Sequence, residues 1–406
     1  MYWEAYHKRY LILDKSGTPK ESAFPFDSTF IDLYNPDAWE WYVRKIAALI
    51  KESGAEGAMV DLGEGESLVD VLIGKHNDLD GFQQHNGYVR LYQDAVEEAI
   101  RRAGKTDNFF AFMRTGTIET VNKFPLWLGD QNVTYDEHDG LKSVVNGTLN
   151  LMASNPRNPH VGCDTGGWTS YPFFLERTPE LFKRWADLSA FLTTMRTHPG
   201  LSPQVNAQVW HDDVSDYFLH CVGLFEALKP IRDEAIALAQ TESRPYWLAA
   251  DLVHQNLPES ATYHFYVGED LYVAPVLDEL YGRRQRVGRA LKIQGKSILR
   301  FFGFGSHVVK APDGQRVTTQ VVLPKLGEDS AWVDIWTGLV ARDIRTHVEA
   351  DTTVDHALIE VDASLGRPPA FIRQGSKHER AVIDRISRNQ RLLQEVENPK
   401  RHIVHK

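Results

Sequence analysis

Hydrophobic positions along the chain fall into two textures. Over roughly the first 265 residues, short apolar, β-prone runs alternate with longer stretches at helical spacing. The runs at Gly57–Leu62, Phe109–Thr115, Phe124–Asp130, His160–Thr165 and Tyr246–Leu252 predict strands. Between them, the segment 36–52 carries Trp39, Tyr42, Val43, Ile46 and Ile50 on one helical face. Segments 88–103, 141–152, 179–195 and 214–239 have the same periodicity and predict further helices. Near-continuous apolar strands separated by helices mean a parallel sheet with helices on its faces. Acids close two of these strands, Asp61 and Asp130; Asp164 lies at the end of a third, and Arg114 ends another. Chemistry at the carboxyl ends of strands is the arrangement of an α/β barrel, so the fold class is α/β, a (β/α)8-type TIM barrel over 1–265.

Past residue 265 the pattern changes. Short runs at 272–276, 321–323, 331–335, 357–361 and 370–373 are divided by Gly, Pro and Asp, which predicts a C-terminal β-sandwich over 266–376. An apolar, basic stretch at 287–316 interrupts it as an insert. The segment 377–406 is a basic tail with Ile383, Ile386, Leu393 and Val396 at helical spacing, expected to dock as a surface helix. Five barrel strands fall short of the eight that close a barrel. No strand long enough to open one precedes the first long helix, so the barrel is expected to be incomplete at its N-terminus, with the preceding strands missing.

Composition narrows the function classes. The chain has 406 residues, 42% hydrophobic and 25% charged, with 45 Lys and Arg against 55 Asp and Glu. A net charge of −10 lacks the basic excess of a nucleic-acid-binding surface. Cys163 and Cys221 are the two cysteines, too few for a disulfide scaffold and not spaced as a zinc cluster. No apolar run reaches the 18 or more residues of a membrane span, and the first residues lack the n- and h-regions of a signal peptide. A soluble protein with no membrane partner is the expectation, and homo-oligomerisation stays open. Two sequons occur, at Asn132 and Asn146, the first two residues from Asp130. A glycan there would crowd the strand end, which favours the cytoplasm.

Generic signatures of other chemistries are missing. The sequence has no GxxxxGK[ST] phosphate loop, no HExxH helix and no GxSxG elbow, and Gly303-Phe-Gly305 reads as a plain loop. What remains is a pair of carboxylates, Asp61 in GAMVDLGE and Asp130 in LWLGDQ. Paired acids at one barrel mouth are the equipment of glycoside hydrolysis. Acids after strands also serve as helix N-caps, and the bare pattern leaves both readings open.

The longer blocks around these acids carry a resemblance. GAMVDLGE at 57–64, FFAFMRTG at 109–116, LWLGDQNVTYDEHDGLKSVV at 126–145, GCDTGGW at 162–168, MRTHPG at 195–200 and YHFYVGEDLYVAPV at 263–276 occur in the order seen in glycoside hydrolase family 31. SLGRPPAFIRQGS at 364–376 resembles the sandwich that follows that family's barrel, and Gly-Asp-Gln at 129–131 is similar to its sulfoquinovosidase branch. The resemblance implies a retaining α-glycosidase without metal or organic cofactor. Asp61 would be the nucleophile and Asp130 the acid/base, with their carboxyls about 5–5.5 Å apart as retention requires. It also implies substrate-binding roles for Arg114 at the floor of the site, His198 on a ring hydroxyl and Asp164 beside the sugar. Glu64 would orient the nucleophile loop, and Trp127 is either a subsite wall or core. Trp168 stands where sulfoquinovosidases carry a tyrosine that helps to hold the sulfonate, a change that removes a hydroxyl donor. Asp136, Glu137 and Asp139 read as the acidic first turn of the following helix. In this family a sandwich, the first barrel strands and the sulfonate-binding arginine and tryptophan precede the nucleophile, and this chain has no room for them before Asp61.

Overall fold

The computed structural model describes residues 1–21, 28–64, 68, 70–117, 119–121, 123–254, 256–279, 318–326, 330–341, 356–363 and 365–397. The insert read at 287–316 and the end of the tail lie outside them. The chain divides into two compact units, Met1–Trp127 and Leu128–Lys406.

The first unit runs α1 (Tyr2–His7), β1 (Leu13–Asp14), α2 (Pro36–Ser53), β2 (Gly57–Val60), β3 (Val71–Ile73), β4 (Leu79–Asp80), α3 (His85–Arg102), β5 (Phe110–Met113) and β6 (Leu126–Trp127). Helix α2 forms where its periodicity places it. The Asn35 side chain accepts the Asp37 N–H at 3.0 Å, and Pro36 opens the first turn with its φ already helical. Gly54, at φ 66°, ends the helix in the left-handed conformation that a side chain would resist. Strands β2 and β5 pair in parallel with Gly57 opposite Phe110 and Val60 opposite Met113, and β6 joins β5 through Leu126 and Met113. A small antiparallel sheet, β1-β3-β4, was not evident from periodicity because its strands are only two or three residues long. Its side chains Val71 and Ile73 share a core with Ile12, just before β1, and with Leu33 and Tyr88.

The second unit begins with α4 (Leu141–Ser154), β7 (Val161–Thr165), α5 (Pro179–Ser189), β8 (Thr194–Thr197), α6 (Asp212–Ala227) and α7 (Lys229–Glu242). It continues through β9 (Trp247–Ala249), α8 (Ala250–Val253), β10 (Phe265–Val267), β11 (Leu271–Val273), β12 (Thr318–Pro324), β13 (Trp332–Asp334), β14 (His356–Asp362), β15 (Ala370–Arg373) and α9 (Glu379–Glu397). Strands β7 and β8 are parallel, with Asp164 opposite Arg196. The late strands form an antiparallel sheet in the order β13-β15-β11-β10-β9 and a separate pair, β12-β14.

Three expectations are corrected here. The run at 246–252 is not a barrel strand: β9 pairs antiparallel with β10, and the Trp247 and Phe265 rings stack at 3.8 Å. A short apolar run does not encode the direction of its neighbour. The helix expected over 179–195 stops at Ser189, and Thr194–Thr197, whose polar half hid it, is a strand. The stretch 214–239 is two helices, because Pro230 lacks an N–H and suits only the first turn of a new one. Helix α9 buries Val382 and Ile386, and the Asn389 amide donates to the Gly223 carbonyl of α6 at 2.8 Å.

One buried histidine couples this fold to pH. His264 shares a 2.8 Å hydrogen bond with the Tyr272 hydroxyl, which itself donates to the Val322 carbonyl at 2.8 Å. The phenol proton is therefore spent, and the imidazole donates from Nδ1–H. Burial pushes His264 down from 6.5 to about 4. Between those values the unfolded chain takes up a proton that the folded chain refuses. The stability contribution is fully present above pH 6.5 and is lost as pH falls towards 4, at most about 3 kcal/mol. Buried Asp187 and partly buried Asp334, both raised chiefly by burial, act in the opposite sense, so the contribution is read by comparison. Denaturant midpoints should fall more steeply between pH 7 and 4.5 in the wild type than in His264→Asn. Equal slopes would remove His264 as the cause.

Candidate active site

In the first unit the parallel register does the positioning. With Val60 opposite Met113, the next residues out of the two strands are Asp61 and Arg114. Arg114 Nε lies 3.3 Å from Asp61 Oδ1 and is ion-paired with Glu64. Asp61 Oδ1 also takes the Leu62 N–H at 2.7 Å, and the carboxylate keeps 42% of its side-chain surface exposed. The turn after Asp61 is unusual: Leu62 sits at φ 64° and Gly63 at φ 96°. A Cβ on Gly63 would come within 2.4 Å of the Tyr92 ring, so glycine is required there. Tyr92 donates its hydroxyl to the Asp61 carbonyl at 2.8 Å, and burial drives its phenol far above the usual range, so it remains a neutral donor. Trp127, at 3% exposure, meets Phe112 edge-on at 5.4 Å, a core placement.

In the second unit the loop after Leu128 is fastened from both sides. Gly129 turns at φ 88°, and the Asp130 carbonyl accepts the Thr169 hydroxyl at 2.7 Å. The Gln131 carbonyl accepts the backbone N–H groups of Trp168 and Thr169 at 2.8 and 3.0 Å. Asn132 is held by Asp139 twice, through backbone at 2.7 Å and side chain at 2.9 Å. Asp136, Glu137 and Asp139 therefore form a turn ahead of α4, which begins at Leu141 with Gly140 as its N-cap, rather than that helix's first turn. Partial burial, then the charges of Asp136 and Asp130, raise the Asp139 carboxyl to about 6.

Strands β7 and β8 deliver the remaining candidates. Asp164 is buried and ion-paired with Arg196 across the register. His198 follows β8; its Nδ1 accepts the Gly200 N–H at 3.0 Å, which leaves the ring proton on Nε2. Its ring meets Trp168 edge-on at 6.3 Å.

Two arginines were missed as site residues. Arg196 sits inside the MRTHPG block, beside the more conspicuous His198. Arg177 carries no local signal at all, because what makes it important lies in other loops. It is 1% exposed and donates to the carbonyls of Ala207, Gly167, His198 and Pro199 and to Gln208 Oε1, at 2.9 to 3.3 Å. One guanidinium thereby fixes the loops carrying Trp168 and His198. Burial lowers Arg177 to about 10, which leaves it charged at neutral pH. Among the described residues no group of three His, Cys, Asp or Glu side chains is arranged to hold a metal, and no helix is long and apolar enough to cross a membrane.

Acids and guanidiniums delivered in register at the carboxyl ends of parallel strands are the arrangement of an α/β-barrel active-site face. The family model for the glycosyl hydrolases family 31 TIM-barrel domain matches residues 1–224, and the chain belongs to that family. It is 30% identical over 379 residues to a sulfoquinovosidase of Escherichia coli (strain K12), covering 92% of this chain and 47% of that one. A sulfoquinovosidase of Agrobacterium fabrum is 30% identical over 360 residues, covering 87% of this chain and 46% of its own. Among solved structures, a family 31 sulfoquinovosidase from E. rectale in complex with an aza-sugar inhibitor superimposes with a TM-score of 0.72 at 26% identity, covering 95% of this chain and 50% of that one. The fold is thus a partial (β/α)8 barrel followed by antiparallel sheets, and the chain spans about half the length of the curated relatives it matches.

Proposed function

We propose that the protein is a retaining α-glycoside hydrolase, with α-sulfoquinovosides as its substrates. The observation that carries the reading is the matched register at two pairs of strand ends: Asp61 beside Arg114 in the first unit, Asp164 beside Arg196 in the second. In the first step an oxygen of Asp61 attacks the anomeric carbon while Asp130 gives its proton to the departing glycosidic oxygen, forming a covalent glycosyl-enzyme. In the second step Asp130, now a carboxylate, takes a proton from water, and the water oxygen displaces Asp61. Arg114, held by Glu64, fixes one face of the nucleophile, so no reorganisation is needed when charge shifts on to the sugar. Asp164 and His198 are assigned to the sugar hydroxyls, and Trp168, edge-on to His198, to the sugar's flank. The folded state engages both sequons: Asn132 is tied to Asp139, and Thr148 is buried with its hydroxyl on the Val144 carbonyl. This agrees with a cytoplasmic setting.

One residue favours a second reading, an α-glucosidase or α-xylosidase. Trp168 offers an indole N–H in place of the tyrosine hydroxyl expected beside a sulfonate. Hydrolysis of 4-nitrophenyl α-sulfoquinovoside beside the α-glucoside and α-xyloside decides between them. A sulfonate reader should favour the first by at least about a hundredfold in kcat/KM, the difference left by an unpaired polar group in a built site. Preference for a neutral sugar would establish the second reading. Absence of turnover on all three would end the hydrolase proposal for this chain.

A further inference from the structure

The loop after β7 ends in a tip that the mechanism leaves unused. Tyr171 and Leu175 exchange backbone hydrogen bonds at 2.7 and 2.9 Å, closing the tip, and Glu176 Oε1 takes the Phe173 N–H at 2.8 Å. Held this way, Phe173 is 92% exposed, Phe174 76% and Tyr171 51%. Phe173 also sits at φ 69°, a left-handed conformation in which a bulky side chain costs about 1 kcal/mol or more. Folding alone gives no reason to place a phenylalanine where it is both strained and in water, since asparagine or glycine would suit the turn better. The tip is an ordered aromatic platform, kept at a cost to stability.

Its root shows what it faces. Thr169, two residues before Tyr171, donates its hydroxyl to the Asp130 carbonyl. On the reading proposed above, Asp130 protonates the leaving oxygen, so a loop rooted on its backbone borders the side from which the aglycone departs. Four extended residues span at most about 14 Å, so the phenylalanines lie within reach of an aglycone.

We infer that Tyr171, Phe173 and Phe174 form an aglycone platform that selects α-glycosides bearing an apolar aglycone. This inference rests on the α-glycosidase reading and extends it to the other side of the scissile bond. The test compares methyl and n-octyl glycosides of α-sulfoquinovose and α-glucose, using the wild type and the Phe173→Gly, Phe174→Ser double variant. The wild type should favour the octyl over the methyl glycoside by about tenfold in kcat/KM, since laying several methylenes on a ring face removes them from water. In the variant that ratio should fall to about one, with methyl glycoside kinetics unchanged and the melting temperature no lower, because strain at Phe173 is relieved. An unchanged octyl-to-methyl ratio overturns the inference while leaving the hydrolase reading intact. A ratio unchanged while sedimentation shows a dimer lost in the variant would also overturn it, making the tip a contact between copies. If neither glycoside is turned over, the hydrolase reading fails, and binding decides the platform alone. Octyl-chain NMR signals broadened by the wild type and not by the variant would support it, and equal broadening would overturn it.

Discussion

Asp61→Ala protein is expected to lose about 10⁴-fold or more in turnover of an activated aryl α-glycoside, equivalent to about 5.5 kcal/mol of lost transition-state stabilisation. On the proposed mechanism the removed group forms the covalent bond itself, so no other side chain can share the deficit. The same variant carries its own positive control. Azide is small enough to enter the space left by the carboxylate, and with Asp130 intact it should restore turnover and release a β-glycosyl azide, the inverted product. Melting should change little, because the Asp61 side chain is partly exposed, Arg114 keeps its ion pair with Glu64, and the Tyr92 bond is to the Asp61 backbone. Recovery of the α-azide, or turnover near that of the wild type without azide, would remove Asp61 from the nucleophile's role.

Asp130→Ala should separate substrates by their leaving groups. General acid assistance contributes about 10²–10⁴-fold, and most of it is needed when the departing oxygen is a poor leaving group. Hydrolysis of methyl α-glycosides is therefore expected to fall by the top of that range, about 10⁴-fold, or below detection. A 2,4-dinitrophenyl glycoside, which leaves without a proton, should keep its first step and accumulate glycosyl-enzyme, because on the proposed mechanism the variant also lacks the base for deglycosylation. A burst of dinitrophenolate followed by slow steady turnover is the signature. Equal losses on both substrates would place Asp130 in substrate binding rather than proton transfer. Because the loop is fastened through the Asp130 carbonyl and Gln131, neither of which the substitution alters, the loop itself should persist.

The strand-end positions of the candidate residues are legible in the sequence. Asp61, Arg114, Asp130 and Asp164 each follow or close a β-prone apolar run, and strand-plus-polar-terminus is a local pattern that survives in one dimension. Helices α2, α3 and α4 were equally plain, because each buries one face and so repeats its apolar residues at helical spacing. Strand β8 was hidden because all four of its residues are only partly buried, leaving no alternation to read. The break between α6 and α7 is marked in the sequence by Pro230, although the apolar periodicity continues across it.

What the amino-acid order determined alone was the succession of βα segments, the antiparallel texture that follows them and the identity of the acids at strand ends. Each of these depends on burial of one face of a short segment, a property that neighbouring residues report together. Tertiary structure alone decided which guanidinium meets which carboxylate, that Arg177 gathers five acceptors from separate loops, and that β9 joins the late sheet. Those are meetings between residues far apart along the chain, settled by strand register and loop packing, and periodicity carries no record of a distant partner.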